Sequence, residues 1–286
     1  MRGPTLLAPA MDAQMWANLA TQENVKVLAG RGVEILGPVE GRLASGEVGA
    51  GRLMEPATIV DYVRARIGLE HGDLVGKRII VTAGGTREPA DPVRFVGNRS
   101  TGKMGYAVAE AARDRGAQVL LITSAGLAFP GAVEIVQVET ADEMQVALER
   151  DVVDAHALIM AAAVADYRPI DTADRKQKRS QREHWTLELE RNPDLIASVD
   201  GRTVVKVAFA AETDDLSANA LRKLQEKGVH LIVANDVSAQ DADFAVDTNR
   251  IVLLDLEGGQ EQLPLLSKYD CAVKVLDRVA GLLASS

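Results

Sequence analysis

The rhythm of hydrophobic positions changes along the chain. Arg78–Thr82, Gln118–Thr123, Ala157–Ala162, Val204–Phe209 and Leu231–Ala234 are short, largely apolar runs of strand length. Runs without regular polar alternation fit strands covered on both faces, as in parallel sheets. Between them lie stretches of helical character. Thr101–Arg115 is rich in small residues, Ala141–Arg150 is amphipathic, and Asp214–Lys227 ends at Gly228, a C-terminal stop signal. Alternation of this kind predicts a Rossmann-like α/β domain, with a mostly parallel sheet and helices on both faces. Near the end, Ile251–Leu256 and Gln262–Leu265 flank Glu257-Gly258-Gly259, a hairpin signal, and Ser267–Leu283 reads as a closing helix.

The first 70 residues read differently. They hold a short apolar piece (Leu6–Ala8), a helix-like stretch (Ala13–Ala20) and a Gly-rich region from Gly30 to Gly51. A helix is expected after Pro56, with Ile59, Val60, Val63 and Ile67 on one face. Gly68 to Asp73 looks like a linker, which divides the chain into residues 1–72 and 73–286. Arg175–Arg182 is basic, lacks apolar residues and predicts a mobile surface loop.

Composition narrows the function classes. Hydrophobic residues make up 47% of the chain and aromatics only 3%, so the core must be built from Ala, Val, Leu and Ile. The net charge of -9 argues against a nucleic-acid binder, although a local basic cluster can still hold a small anion. A single cysteine, Cys271, excludes an intrachain disulfide and a Cys-based zinc site, and reads as a small buried apolar residue. His71, His156, His184 and His230 lack metal-ligand spacing. No apolar run reaches the roughly 18 residues of a membrane span, and the first residues lack a signal peptide's apolar stretch. A cytoplasmic protein with no membrane partner is expected.

Several constellations suit chemistry. Thr82–Glu88 carries Gly84 and Gly85 just past the first strand, where backbone N–H groups can approach a phosphate, or where a tight turn is simply needed. Gly97–Gly105 approaches the phosphate-loop pattern but has Met104 where a hydroxyl should bind magnesium, and lies far from its strand. What remains is a Ser/Thr-capped helix or an anion site at a helix start, with Asn98 placed to donate to a carbonyl that gains charge. Ala161–Pro169 ends a buried strand in alanines that leave room for a flat ring, followed by Asp166, placed for a metal or a hydroxyl. Lys176 and Lys178 suit a flap over a triphosphate, or an ordinary solvated loop. Phe209 ends a strand where a base can stack, and Lys223 and Lys227 stand four apart on one helix face.

Taken in order, Ala83–Glu88, Asp91–Arg94, Asn98–Gly105, Ala161–Pro169, Asn192-Pro193-Asp194, Phe209–Thr213 and Ala234–Ser238 resemble the phosphopantothenate–cysteine ligase half of the bifunctional bacterial coenzyme A enzyme. The resemblance spans roughly residues 75 to 285. It implies a dimeric ligase that uses CTP and magnesium, is unrelated to ATP-grasp enzymes, and joins L-cysteine to 4′-phosphopantothenate through an acyl-cytidylate. By resemblance Asn98 polarises the acyl group and one of Lys176 and Lys178 assists the second step. Gly85, Ser100, Thr101 and Gly102 line phosphate sites, with Arg94 nearby. Ala162, Ala163, Asp166 and Phe209 bind the nucleotide, with Asp166 toward the metal. Lys223 and Lys227 contact triphosphate or phosphopantothenate, with Asn235 and Asp236 beside the substrate.

The first 70 residues resemble the tail of the partner half, a flavin-dependent decarboxylase, through Pro9–Asp12, Met15-Trp16 and Leu43–Pro56. Asp12 stands where that family has Asn, and Ser45 where it has the Cys that protonates the intermediate. A serine hydroxyl is a far weaker acid than a thiol, so neither decarboxylase activity nor bound FMN is expected of what reads as a remnant. Two other classes remain: an NAD(P)-dependent oxidoreductase, which lacks its fingerprint here, and a nucleotide sensor without chemistry. The choice between CTP and ATP does not follow from the residues themselves.

Overall fold

The structure, a computed structural model, describes residues 3–176, 185–200, 203–212, 224, 227–236 and 246–285. The chain opens with β1 (Thr5–Leu7), α1 (Ala13–Ala17), α2 (Leu19–Gly30), β2 (Val33–Ile35), the antiparallel pair β3 (Val39–Arg42) and β4 (Val48–Arg52), and α3 (Pro56–His71). β1 and β2 pair in parallel. The single helix expected over Ala13–Ala20 is two. Asn18 has an extended backbone that ends α1, and its side chain accepts the Ala20 N–H at 3.0 Å to cap α2.

The expected linker is also different. α3 continues through His71, and Gly68 is buried in its last turn. A Cβ at Gly68 would lie 2.5 Å from the Asp114 carbonyl oxygen, so the glycine permits a close crossing with the chain at Asp114–Gly116. Buried Arg113 reinforces the contact, reaching Asp61 at 3.1 Å while donating to the Gly131 carbonyl at 2.8 Å.

The remainder runs β5 (Arg78–Ala83), the hairpin β6 (Arg87–Pro89) and β7 (Phe95–Gly97), α4 (Lys103–Asp114), β8 (Gln118–Thr123), β9 (Glu134–Gln137), α5 (Ala141–Asp151) and β10 (Ala157–Met160). A second hairpin, β11 (Tyr167–Pro169) and β12 (Leu189–Arg191), precedes β13 (Val205–Glu212), β14 (Leu231–Asp236), β15 (Thr248–Asn249), β16 (Ile251–Asp255), β17 (Gln260–Gln262) and β18 (Leu266–Ser267). Helix α6 (Lys268–Ser285) closes the chain. Of the helix expected over Asp214–Lys227, only Leu224 and Lys227 are described, and both are helical.

Eight strands form the main sheet in the order β9-β8-β5-β10-β13-β14-β16-β17. All neighbours are parallel as far as β14, and β16 and β17 are antiparallel. α4 and α6 cover one face, and α5 with Leu195–Val199 and Leu224 covers the other. Both faces being covered explains why the central strands are continuous apolar runs. The α5 start carries a full capping box, with the Thr140 and Glu143 side chains exchanging bonds with each other's backbone. Cys271 is buried on α6, and burial pushes its thiol up to about 11. Among the described residues no helix is long and apolar enough to cross a membrane.

After β5 the chain builds β8 and β9 to one side, then returns to add β10 on the other. Such a reversal opens a crevice beyond the carboxyl ends of β5 and β10. Replacing Gly68 with Ala is expected to destabilise the protein by about 1–3 kcal/mol through overpacking against Asp114. Denaturant titration checks this, and an unchanged midpoint would refute the close crossing.

Candidate active site

The crevice is built from the end of β10 outward. Ala161–Asp166 follows that strand, and its backbone is fastened from the β5 side by two fully buried threonines. Thr82 Oγ1 accepts the Ala162 N–H at 3.2 Å, and Thr86 Oγ1 accepts the Ala165 N–H at 2.9 Å. Ala163 donates to the Gly84 carbonyl at 2.8 Å, and Gly85 and Ala163 form a parallel bridge. From the opposite side, Asn192 donates its amide to the Ala165 carbonyl at 2.8 Å and its backbone N–H to the Asp166 carbonyl at 2.9 Å. Asn98 Nδ2 donates to the Val164 carbonyl at 2.9 Å. The main chain is thus held still, while alanine side chains leave space in front of it.

α4 supplies the facing wall. The expected Ser/Thr cap is replaced by Gly102, at φ 79°, with no side-chain cap bond. A Cβ there would lie 2.6 Å from the Ala125 Cβ, and one at Gly105 would lie 2.5 Å from the Ala83 Cβ. Only glycines let the first turn settle onto the end of β5, so Ser100 and Thr101 move aside from the cap. Their hydroxyls accept the Gly102 and Lys103 N–H groups at 3.3 and 3.5 Å. This turn carries the positive end of the helix dipole to the cavity.

Between these walls lies a cavity of about 530 Å³, within the range of small-molecule sites. Ala208, Phe209 and Ala210 of β13 and Asn235 of β14 line it, and the segment Asn192–Ile196 closes one side beside Lys227. Lys227 Nζ meets Asp194 Oδ2 at 2.8 Å. Burial works to raise the Asp194 pKa, but the Lys227 hydrogen bond and charge outweigh it and hold the carboxyl below its ordinary value. Asn235 Oδ1 accepts from Asn249 Nδ2 at 3.1 Å, which fixes that amide at the cavity wall.

Of the residues singled out from the sequence, Asn98, Ser100, Thr101, Gly102, Ala162, Ala163, Asp166, Phe209, Lys227 and Asn235 share this cavity. Gly85 does not line it. A Cβ at Gly85 would lie 2.5 Å from the Asn98 carbonyl oxygen, so it acts as the seat on which the Asn98 loop rests. Arg94 is also off the wall, paired with Asp91 at 3.1 Å and stacked over Trp185 at 5.2 Å. Lys176 is exposed and not part of the lining. Asp236 ends β14 one residue beyond Asn235. Lys178, Arg179 and Lys223 lie outside the described residues. Asp166 has no companions for a metal cage, since no group of three or more His, Cys, Asp or Glu side chains suited to an ion occurs among the described residues.

The structure adds Asn192–Ile196 to the wall; in the sequence Asn192-Pro193-Asp194 stands out only as one of the motifs of the resemblance, with no role attached. Asn192 is 6% exposed, and its Oδ1 is buried without a hydrogen-bond partner among the described residues. Lys268 and Asn249 join from the far end of the chain.

The chain is similar to known proteins along nearly all of its length. The Flavoprotein family matches residues 1–68. The chain is 41% identical over 98% of its length to the coenzyme A biosynthesis bifunctional protein CoaBC of Vibrio vulnificus, covering 70% of that protein. It is 42% identical over 99% of its length to the protein of that name from Mycobacterium tuberculosis, covering 72% of it. Among solved structures, the C-terminal domain of a CoaBC protein aligns with 75% of this chain and 100% of its own, at 37% identity and a TM-score of 0.64. A DNA/pantothenate metabolism flavoprotein from Streptococcus pneumoniae, 24% identical, shares the fold at a TM-score of 0.63. Residues 74–283 match the DNA/pantothenate metabolism flavoprotein C-terminal domain, and the chain belongs to that family.

Proposed function

We propose that this chain is a phosphopantothenate–cysteine ligase of coenzyme A biosynthesis that uses CTP as co-substrate. The observation that carries the reading is a single cavity with two different walls. One is bare, fastened main chain and small side chains at Ala161–Ala165 beside Phe209, suited to a base and sugar. The other is the start of α4, suited to phosphates.

The chemistry needs both walls. A carboxylate condenses poorly with an amine because its leaving group is poor. In the proposed first step a carboxylate oxygen of 4′-phosphopantothenate attacks the α-phosphorus of CTP, the bond to the bridging oxygen breaks, and pyrophosphate leaves. The cysteine amine then attacks the acyl carbon of the mixed anhydride. CMP departs with its oxygen, and the amine loses a proton.

Asn98 is assigned to the acyl oxygen. One Nδ2 hydrogen is committed to the Val164 carbonyl, which orients the amide and leaves the second for an oxygen that gains charge. Ser100, Thr101 and Gly102 are assigned to phosphate oxygens, and Lys227 is drawn from Asp194 toward the anion. Asn235 and Asp236 are assigned to the substrate side, and the lysines of 176–179 to the second step. Magnesium accompanies the nucleotide in this proposal. Asp166, the exposed carboxylate on the cavity wall, would hold it, which fits an ion that takes one or two carboxylates and otherwise phosphates and water. A homodimer and a cytoplasmic location belong to the same proposal. Residues 1–72 are proposed to lack decarboxylase activity, because Ser45 on the turn between β3 and β4 is too weak an acid.

Sustained pyrophosphate release is expected only when CTP, phosphopantothenate and cysteine are all present, with at most one equivalent per site when cysteine is left out, and sustained release indifferent to cysteine and phosphopantothenate would defeat the ligase reading. Asn98→Asp should lower turnover by about 100-fold or more, as for loss of one oxyanion donor, with CTP affinity by calorimetry little changed. Normal turnover in that variant would remove Asn98 from its role. Carbon dioxide release from phosphopantothenoylcysteine, with flavin copurifying, would overturn the assignment of residues 1–72.

A further inference from the structure

Lys206 is the one charged residue in the Val204–Phe209 run, and it is 2% exposed. Strand alternation places it on the same face of β13 as Ala208 and Ala210, which line the cavity. It is therefore a buried ammonium group on the cavity side of β13, against the main chain of Ile196 and Val199. Burying such a group costs several kcal/mol unless every N–H is satisfied.

All three are satisfied, by main-chain carbonyls. Nζ donates to Ile196 at 2.9 Å, Val199 at 2.6 Å and Lys227 at 2.7 Å. No carboxylate comes within ion-pair distance of Nζ among the described residues, and Asp200 and Asp194 reach it only through their fields. With its three hydrogens engaged, the group has no lone pair and serves neither as a base nor as a nucleophile. What it joins is more informative. Ile196 belongs to the Asn192–Ile196 wall, and Lys227 is the helix residue beside it whose own ammonium pairs with Asp194. The two walls come from separate parts of the chain, and Lys206 is the buried charge that holds their backbones to one point. Its strand is registered on the same side, since the Lys206 N–H donates to His230 Nδ1 at 3.0 Å and its carbonyl accepts the His230 N–H at 2.9 Å.

We infer that Lys206 is a positioning residue, which ties the Asn192–Ile196 wall to the Lys227 wall and so sets the spacing of groups that receive the nucleotide. The inference rests on the proposed CTP-dependent ligase. Lys227 meets the ligand directly in that reading and Asn192–Ile196 walls its site, whereas Lys206 acts only through them. A residue that merely stabilised the fold would lower the melting temperature without separating KM from kcat.

The test compares the full chain with Lys206→Met and with Val279→Ala, a control whose side chain is fully buried on α6 away from the cavity. Steady-state ligation and amide hydrogen exchange are measured well below each melting temperature. Lys206→Met should raise KM for CTP about tenfold with kcat within about twofold, as loss of uniform binding requires. Exchange over residues 194–199 should quicken. Val279→Ala should change neither. Wild-type KM and exchange in Lys206→Met, or an equal KM rise in Val279→Ala, would overturn the inference. If Lys206→Met does not fold, Lys206→Gln carries the same comparison, and failure of both to fold assigns Lys206 to stability alone. If the wild type itself shows no CTP-dependent turnover, the ligase proposal falls. The exchange comparison then still decides whether Lys206 holds the wall.

Discussion

The site depends on a short stretch of main chain being unable to move. Ala161–Asp166 leaves the end of β10 with small side chains apart from Val164 and Asp166, and hydrogen bonds at several points fix it. Thr82 and Thr86 hold its N–H groups, Asn98 and Asn192 hold its carbonyls, and Gly85 bridges it. Both threonines are fully buried, so each loses water's hydrogen bonds and must keep its protein partner. The consequence is a bare but rigid surface, where unengaged backbone can meet a base edge without first being ordered.

Charge is arranged with similar economy. The chain carries a net -9, yet lysines 103, 227 and 268 stand around the cavity. Each has a protein partner already. Lys103 pairs with Asp247 at 2.7 Å, Lys227 with Asp194 at 2.8 Å, and Lys268 donates to the Thr248 carbonyl at 3.2 Å. An arriving polyphosphate therefore competes with carboxylates and carbonyls rather than meeting idle cations. That favours ligands of high charge, such as a triphosphate, over single anions. Lys206 differs in kind, being buried and saturated, and its charge acts on the architecture.

How far the sequence discloses this depends on whether the signal is local. The strands of the doubly wound sheet were legible because burial on both faces demands unbroken apolar runs, and β5, β8 and β10 obey that demand. The start of α4 was legible because glycine, serine and threonine cluster there. The last turn of α3 was not, since Gly68 reads as a breaker when its purpose is a close crossing at Asp114. Gly85 and Arg94 were placed at the ligand by resemblance. In the structure one supports a loop and the other pairs with Asp91 and Trp185. Asn192–Ile196 was invisible as a wall because its position comes from bonds to residues some two dozen positions earlier. For Lys206 a sign existed: a charge inside a run of strand-core residues is costly enough to require a reason.

If these pieces form one nucleotide site at the reversal point of the sheet, a crystal structure of the protein with CTP bound will show it. The base is expected against Ala161–Ala163 and Phe209, with the phosphates toward Ser100–Gly102 and Lys227. Ordered nucleotide elsewhere on the surface, with this cavity empty at saturating CTP, would contradict it.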